Sequence, residues 1–364
     1  MLAFVAGGAC GYDERNPSIA SPAPPITEPG TADNTAGSDR SRAPAPAGSE
    51  TGPDVTEVVL SDPVLSDPVL ASGTAGEPTE PPASPEPEES TPRLTCSHEE
   101  PFGPLTGVPG LPPGAVRLRM SPDERVGYYA APSPTARYDL FVATRDTRRG
   151  TFGEGEPLAF NDAAWDFSPT LPGDGGILYL ESNRSGSWKI YQSEWDPQAA
   201  AFGPIAIAAG LSNAETTYND GGPYVTADGA AIYFHTTRLG RQVLAVARRS
   251  GSSFGPVLLL DPGELGIGGT PIVSSDELSL YFAVEVGTEA AGRHIDIWSA
   301  TRSSTSLAFA DFREVTGVNT PANEVPSFIS EDGCRLYFDR NTGSPFGWGR
   351  SDDAAYVAER QPQE

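Results

Sequence analysis

An aspartate followed five residues later by a tyrosine recurs five times: Asp123/Tyr128, Asp174/Tyr179, Asp228/Tyr233, Asp276/Tyr281 and Asp332/Tyr337. The copies stand roughly fifty residues apart. A period of that length marks a repeat architecture, in which each unit buries its apolar face against its neighbours. Gly follows the Asp in three copies (Gly175, Gly229, Gly333). Asp-Gly between two apolar runs is a hairpin signal, because the turn needs positive φ.

The run after the turn reads Leu178-Tyr179-Leu180, Ile232-Tyr233-Phe234, Leu280-Tyr281-Phe282 or Leu336-Tyr337-Phe338. Such β-branched and aromatic runs are of strand length. A third run follows in every unit, ending in Arg145, Arg248, Arg302 and Arg360, with Trp195 in the second unit. Phe-Gly then recurs at Phe102, Phe152, Phe202 and Phe254, with Phe312 as a degenerate copy, and opens a short fourth run. Four short strands per unit describe a propeller blade. After residue 100 no segment has a sustained helical period, which argues against an α-solenoid.

The last unit reaches Arg360 without a Phe-Gly strand of its own, while Phe102 to Val108 supplies an extra one ahead of the first Asp/Tyr pair. The expected fold is therefore all-β. It is a five-bladed β-propeller of four-stranded antiparallel blades, closed by an N-terminal strand that completes the last blade. Expected blade bounds are 109–158, 159–209, 210–260, 261–318 and 319–360, the last with 102–108. An open array would leave unprotected edges.

Pro326-Ser327-Phe328-Ile329-Ser330-Glu331-Asp332-Gly333-Cys334-Arg335-Leu336-Tyr337-Phe338 resembles the TolB-type, WD-like β-propeller repeat. Ser168-Pro169-Thr170 through Ser182-Asn183-Arg184 resembles it too. The resemblance covers residues 102–360 and implies the propeller fold. TolB carries a separate α/β domain and more blades, so its partner-binding role is not carried over.

From residue 13 to 101 there is no Phe, Trp or Tyr. Fifteen acidic residues against four basic ones over 11–95 give a net charge of −11. Such a segment cannot bury enough apolar surface to offset ordering entropy, so 11–95 is expected to be a disordered acidic tether. Residues 1–10, Met-Leu-Ala-Phe-Val-Ala-Gly-Gly-Ala-Cys, resemble the end of a bacterial lipoprotein signal. Lipidation of Cys10, export and anchoring in the cell envelope (outer membrane or periplasm) follow as expectations. Contact with membrane would come only through that anchor.

Cys96 and Cys334 both map to the last blade, where a disulfide could staple the closure; two free thiols are the equal alternative. The net charge of −25 disfavours nucleic acid, since phosphate binding needs clustered Lys and Arg. Lys189 is the one lysine.

Gly251-Ser252-Ser253-Phe254-Gly255 has the letters of a nucleophile elbow but lies in a blade turn, so no catalytic role is expected. His98, His235 and His294 fall in no metal-spaced cluster, so neither metal nor cofactor is expected. Arg117, Trp165, Asp166, Tyr218, Asn219, Asp220, Asn323 and Glu324 should line one mouth of the channel, where aromatic rings and amides suit a protein or glycan partner. The expectation is a monomeric, non-enzymatic binding or interaction scaffold. One alternative is a secreted glycan-active hydrolase using Asp166 and Glu324 as a carboxylate pair. The other is a purely structural envelope protein.

Overall fold

The computed structural model describes residues 96–361 apart from 134–137, 214, 261–264, 266, 289–291 and 344–352. Cys10, residues 1–10 and the tether 11–95 lie outside the described residues. The described residues contain strands and no helix, arranged in five antiparallel sheets. Blade I is Val116–Met120, Val126–Ala131, Asp139–Thr144 and Glu156–Pro157. Blade II is Asp166–Thr170, Ile177–Ser182, Lys189–Asp196 and Ala206–Ile207. Blade III is Asp220–Val225, Ala231–Thr236, Val243–Ser250 and Leu258–Leu260. Blade IV is Ile267–Val273, Ser279–Thr288, Gly292–Thr301 and Ala310–Glu314.

Blade V is Asn323–Ile329, Arg335–Asn341 and Ala354–Glu359, completed by Leu105–Gly107 from the other end of the domain. Leu105 stands opposite Ala358 and Gly107 opposite Tyr356. The fold is thus the expected five-bladed ring, closed by its N-terminal strand. A Cys96–Cys334 disulfide, with Cα atoms 5.1 Å apart, ties the segment before that strand to the first hairpin of the same blade.

Each part of the repeat has a visible task. The Asp Oδ1 accepts the backbone N–H two residues on, from Arg125, Gly176, Ala230, Leu278 and Cys334. Where a Ser or Thr precedes it by two, that hydroxyl also donates to it, as Ser121 does to Asp123 at 2.6 Å. That bond holds the Asp123 carboxyl below its ordinary pKa. The next residue takes the left-handed conformation, with Gly229 at φ 68°. In blades I and IV it is a glutamate, Glu124 (φ 58°) and Glu277 (φ 57°). Those glutamates accept the Tyr337 and Tyr233 hydroxyls of the preceding blades at 2.7 and 2.5 Å.

The mid-strand tyrosine is a latch between blades. Arg145, Arg249, Arg302 and Arg360 donate through Nη2 to Tyr337, Tyr179, Tyr233 and Tyr281, each on the preceding blade, at 2.8–3.1 Å. Each guanidinium also lies over an aromatic ring of its own blade: Phe152, Phe254, Phe309 and Phe102. Two expected positions move by this test. The third strand of blade III runs on to Ser250, so Arg249 rather than Arg248 is the repeat arginine; Arg248 pairs with Glu277. Phe309 rather than Phe312 holds the ring position in blade IV. Between blades I and II the arginine is replaced by Trp195, which packs on Phe202, and Phe202 meets Tyr128 edge-on.

Candidate functional site

Each innermost strand carries a β-bulge. Pairing with the second strand skips between Val116 and Arg119, Phe167 and Thr170, Gly221 and Tyr224, Gly269 and Ile272, and Pro326 and Phe328. Bulges bend a strand and re-aim side chains. Arg117, Ser168, Gly222 and Thr270 adopt φ of 46–58° there. A non-glycine residue in that region is uncommon, and three in one repeated position mark a built feature.

Opposite the bulge, one residue past the Leu-Tyr-Phe run, stand Ala130, Glu181, His235, Ala283 and Asp339. The three polar ones use one bond pattern. Each accepts the backbone N–H of the bulged residue on the next blade: Glu181 from Gly222, His235 Nδ1 from Thr270 at 3.5 Å, and Asp339 from Arg117 at 2.8 Å. Arg117 adds an ion pair to Asp339 at 2.6 Å. Glycines make the room: a Cβ on Gly221 would collide with the Glu181 carboxylate and the His235 ring, and one on Gly269 would meet His235 Nδ1 at 2.8 Å.

Burial shapes the electrostatics. It pushes the Glu181 and Asp339 carboxyls up, against the pull of the Arg117 and Arg119 charges. His235 is pushed down to about 3 by burial and by the Arg117 charge, which leaves a neutral imidazole. Tyr224 is raised to about 12 by burial.

Arg119 stands apart from this pattern. It belongs to blade I but reaches blade III, where Nη2 donates to the Pro223 carbonyl at 3.4 Å and the guanidinium lies 5.2 Å from the Tyr224 ring centroid. It therefore crosses the channel between blades that are not neighbours. Its side chain is 3% exposed, and Nε and Nη1 have no protein acceptor among the described residues. Burial lowers its pKa to about 10. The hydroxyls of Ser168, Thr270 and Ser327, all in the bulges, are likewise buried without a partner among the described residues. Buried donors without acceptors cost about 1–3 kcal/mol each, so such a cluster needs an explanation.

Beside Arg119 lies a cavity of about 280 Å³ at the end of the channel rimmed by the first-hairpin turns. Every blade contributes one apolar residue from the same repeat position: Met120, Leu171, Val225, Val273 and Ile329. The channel thus has an apolar end and a polar middle, with Arg119 and Tyr224 at the junction.

Of the residues expected at a binding mouth, Arg117 belongs to the axial cluster. The other seven sit at blade corners. Asp166 accepts both Nη2 contacts of Arg184 at 3.0 Å, Asp220 pairs with Arg238 at 3.1 Å, and Glu324 with Arg340 at 3.3 Å. Asn219 and Asn323 accept the backbone N–H of Trp188 and Ile295. Tyr218 lies under Lys189 and Arg238, and Trp165 stacks on Tyr138 and Phe167. Arg119, Glu181, Tyr224, His235 and Asp339 were not among the residues picked out from the sequence as binding candidates. Their signal was present in the alignment of the five units, where Glu181, His235 and Asp339 occupy a position that is alanine in the other two blades.

No family model matches the chain, and no curated protein does. Solved structures similar to it include TolB from Acinetobacter baumannii, at 13% identity over 72% of this chain and 56% of that one (TM-score 0.36). They also include an α-L-arabinofuranosidase from Lactobacillus brevis, at 12% over 69% and 92% (TM-score 0.46). A third is a thermostable family-43 glycoside hydrolase, at 15% over 70% and 97% (TM-score 0.46). Likeness at these identities concerns the fold alone. The expectation that the chain is not an enzyme is corrected: five of the similar solved structures, at 6–15% identity, are themselves arabinofuranosidases or other glycoside hydrolases.

Proposed function

We propose that this propeller is a ligand-binding module whose site is the axial channel, reached from the face of the first-hairpin turns. The observation that supports it best is Arg119, a buried charge with unused donors at the floor of a cavity. Elsewhere the repeat spends its polar groups on the ring itself: aspartates close turns, and tyrosines and arginines lock blades. The channel is where the blades depart from one another, and that is where a propeller acquires individuality. If the module also performs hydrolysis, the carboxylates opposite the bulges are Glu181, which accepts the Gly222 N–H, and Asp339, which is ion-paired with Arg117.

A second reading, a protein or glycan partner on the opposite mouth, draws support from Trp165 stacked with Tyr138 and Phe167. One experiment separates the two. The full chain is screened by thermal shift against sugars, short peptides and small organic acids, together with Glu181→Gln, His235→Gln and Trp165→Ala. A hit weakened in the two channel variants and retained in Trp165→Ala supports the channel. A hit lost only in Trp165→Ala overturns the proposal.

A further inference from the structure

We infer that the channel cavity takes a small amphipathic monocarboxylate, its apolar body against the five-blade ring and its head group on Arg119. This rests on the reading above that the channel is the ligand site, and goes on to the chemistry of the ligand. A guanidinium donates only, so whatever completes Arg119 must be an acceptor, and an anionic one bonds about twice as strongly as a neutral one. Of the nearby carboxylates, Asp339 pairs with Arg117, Glu181 accepts the Gly222 N–H, and Glu331 stands on the cavity lining. Arg119 lines the cavity, and its Nε–H and both hydrogens on Nη1 have no acceptor among the described residues; they are closed off from solvent, so an acid in the cavity meets them through a turn of the side chain, in a setting where desolvation makes each bond count.

The rest of the cavity specifies the body of the ligand. Met120, Leu171, Val225, Val273 and Ile329 form an apolar collar, which a sugar or a bare phosphate would leave with unmet polar groups. The volume of about 280 Å³ lies just below the range for small-molecule pockets, roughly 300–1,000 Å³, and suits a short acid. Tyr224 beside the guanidinium supplies an aromatic wall at the junction.

The test is calorimetric titration of the full chain with octanoate, with acetate and octan-1-ol as controls for each half of the ligand. Octanoate should bind, acetate and octan-1-ol at least about tenfold more weakly. From butanoate to octanoate each added methylene should tighten binding about fourfold. Arg119→Met should weaken octanoate by about tenfold to a hundredfold. Because that variant could fold poorly, Leu171→Phe provides an independent arm: it narrows the collar, leaves Arg119 in place, and should shift the preference from octanoate towards butanoate. Octan-1-ol binding as well as octanoate, or octanoate binding unchanged in both variants, would overturn the inference. Absence of acid binding, alongside a thermal-shift hit that depends on Glu181 and His235, would overturn the ligand class and leave the channel as the site.

Discussion

At the scale of single residues, the arginine–tyrosine latch is the unit that holds one blade to the next. Arg249 and Tyr179 are the cleanest pair, at 2.8 Å with no carboxylate partner on the tyrosine hydroxyl among the described residues. Tyr179→Phe and Arg249→Met should each cost about 1–3 kcal/mol in urea unfolding. The double variant should cost less than their sum by about 0.5–3 kcal/mol, the coupling expected of groups in contact. Strict additivity would show that the latch contributes nothing as a pair. His235 makes a pH prediction. Its folded pKa is depressed to about 3, whereas the unfolded chain takes up a proton near pH 6.5. The stability it contributes is complete above about pH 6.5 and is lost as the pH falls towards 3. Between about pH 7 and about pH 5 the wild type should therefore lose up to about 2 kcal/mol more than His235→Gln. Urea midpoints that fall in parallel for both proteins would contradict a buried neutral imidazole. These residues also mark where sequence reading stops. Asp-Gly and Leu-Tyr-Phe are legible because turn geometry and strand propensity are local. Glu181, His235 and Asp339 stand out only when the five units are aligned, and their role is not legible even then, because a bulge on one strand and a backbone N–H on the next blade give it, and neither has a local signature. Asp166 and Glu324 read as a free carboxylate pair because the arginines that hold them, Arg184 just past the second strand and Arg340 within it, are brought alongside only by strand pairing.

At the scale of elements, ring closure depends on a strand of three residues, Leu105–Gly107, held against Ala354–Glu359. So short an edge strand has little stability of its own. The Cys96–Cys334 bond reinforces it by closing a loop of sequence separation 238. Replacing both cysteines with serine should cost about 2–5 kcal/mol in urea unfolding, through the entropy returned to the unfolded chain. The amides of 105–107 should then exchange faster than those of any other blade's outer strand. An unchanged midpoint, or two free thiols titrated from these positions in the denatured, unreduced protein, would show that the staple does not act. The borrowed strand was legible from the offset of the Phe-Gly copies. The bond was legible only as one of two alternatives, because placing both cysteines on one blade leaves their separation open.

At the scale of the whole molecule, five near-identical blades put five equivalent residues around one axis, and the chain has kept that symmetry in the apolar collar while breaking it in the polar middle. Arg119 is the sharpest break. It is a long cation where the other blades place Thr170, Tyr224, Ile272 and Phe328 opposite their repeat tyrosines, and it spans the channel to blade III. Symmetric packing explains the ring, and the asymmetry has a use only if something meets it. The most direct test is a ¹⁵N arginine side-chain spectrum of the full chain, with the Arg119 Nε–H signal assigned by its absence in Arg119→Met. Titration with a channel ligand, octanoate first, should shift that signal selectively and saturably, while the Nε–H signals of the latch arginines Arg145, Arg249 and Arg302 stay in place. If bound ligand leaves the Arg119 signal unmoved while others shift, the channel is not the site.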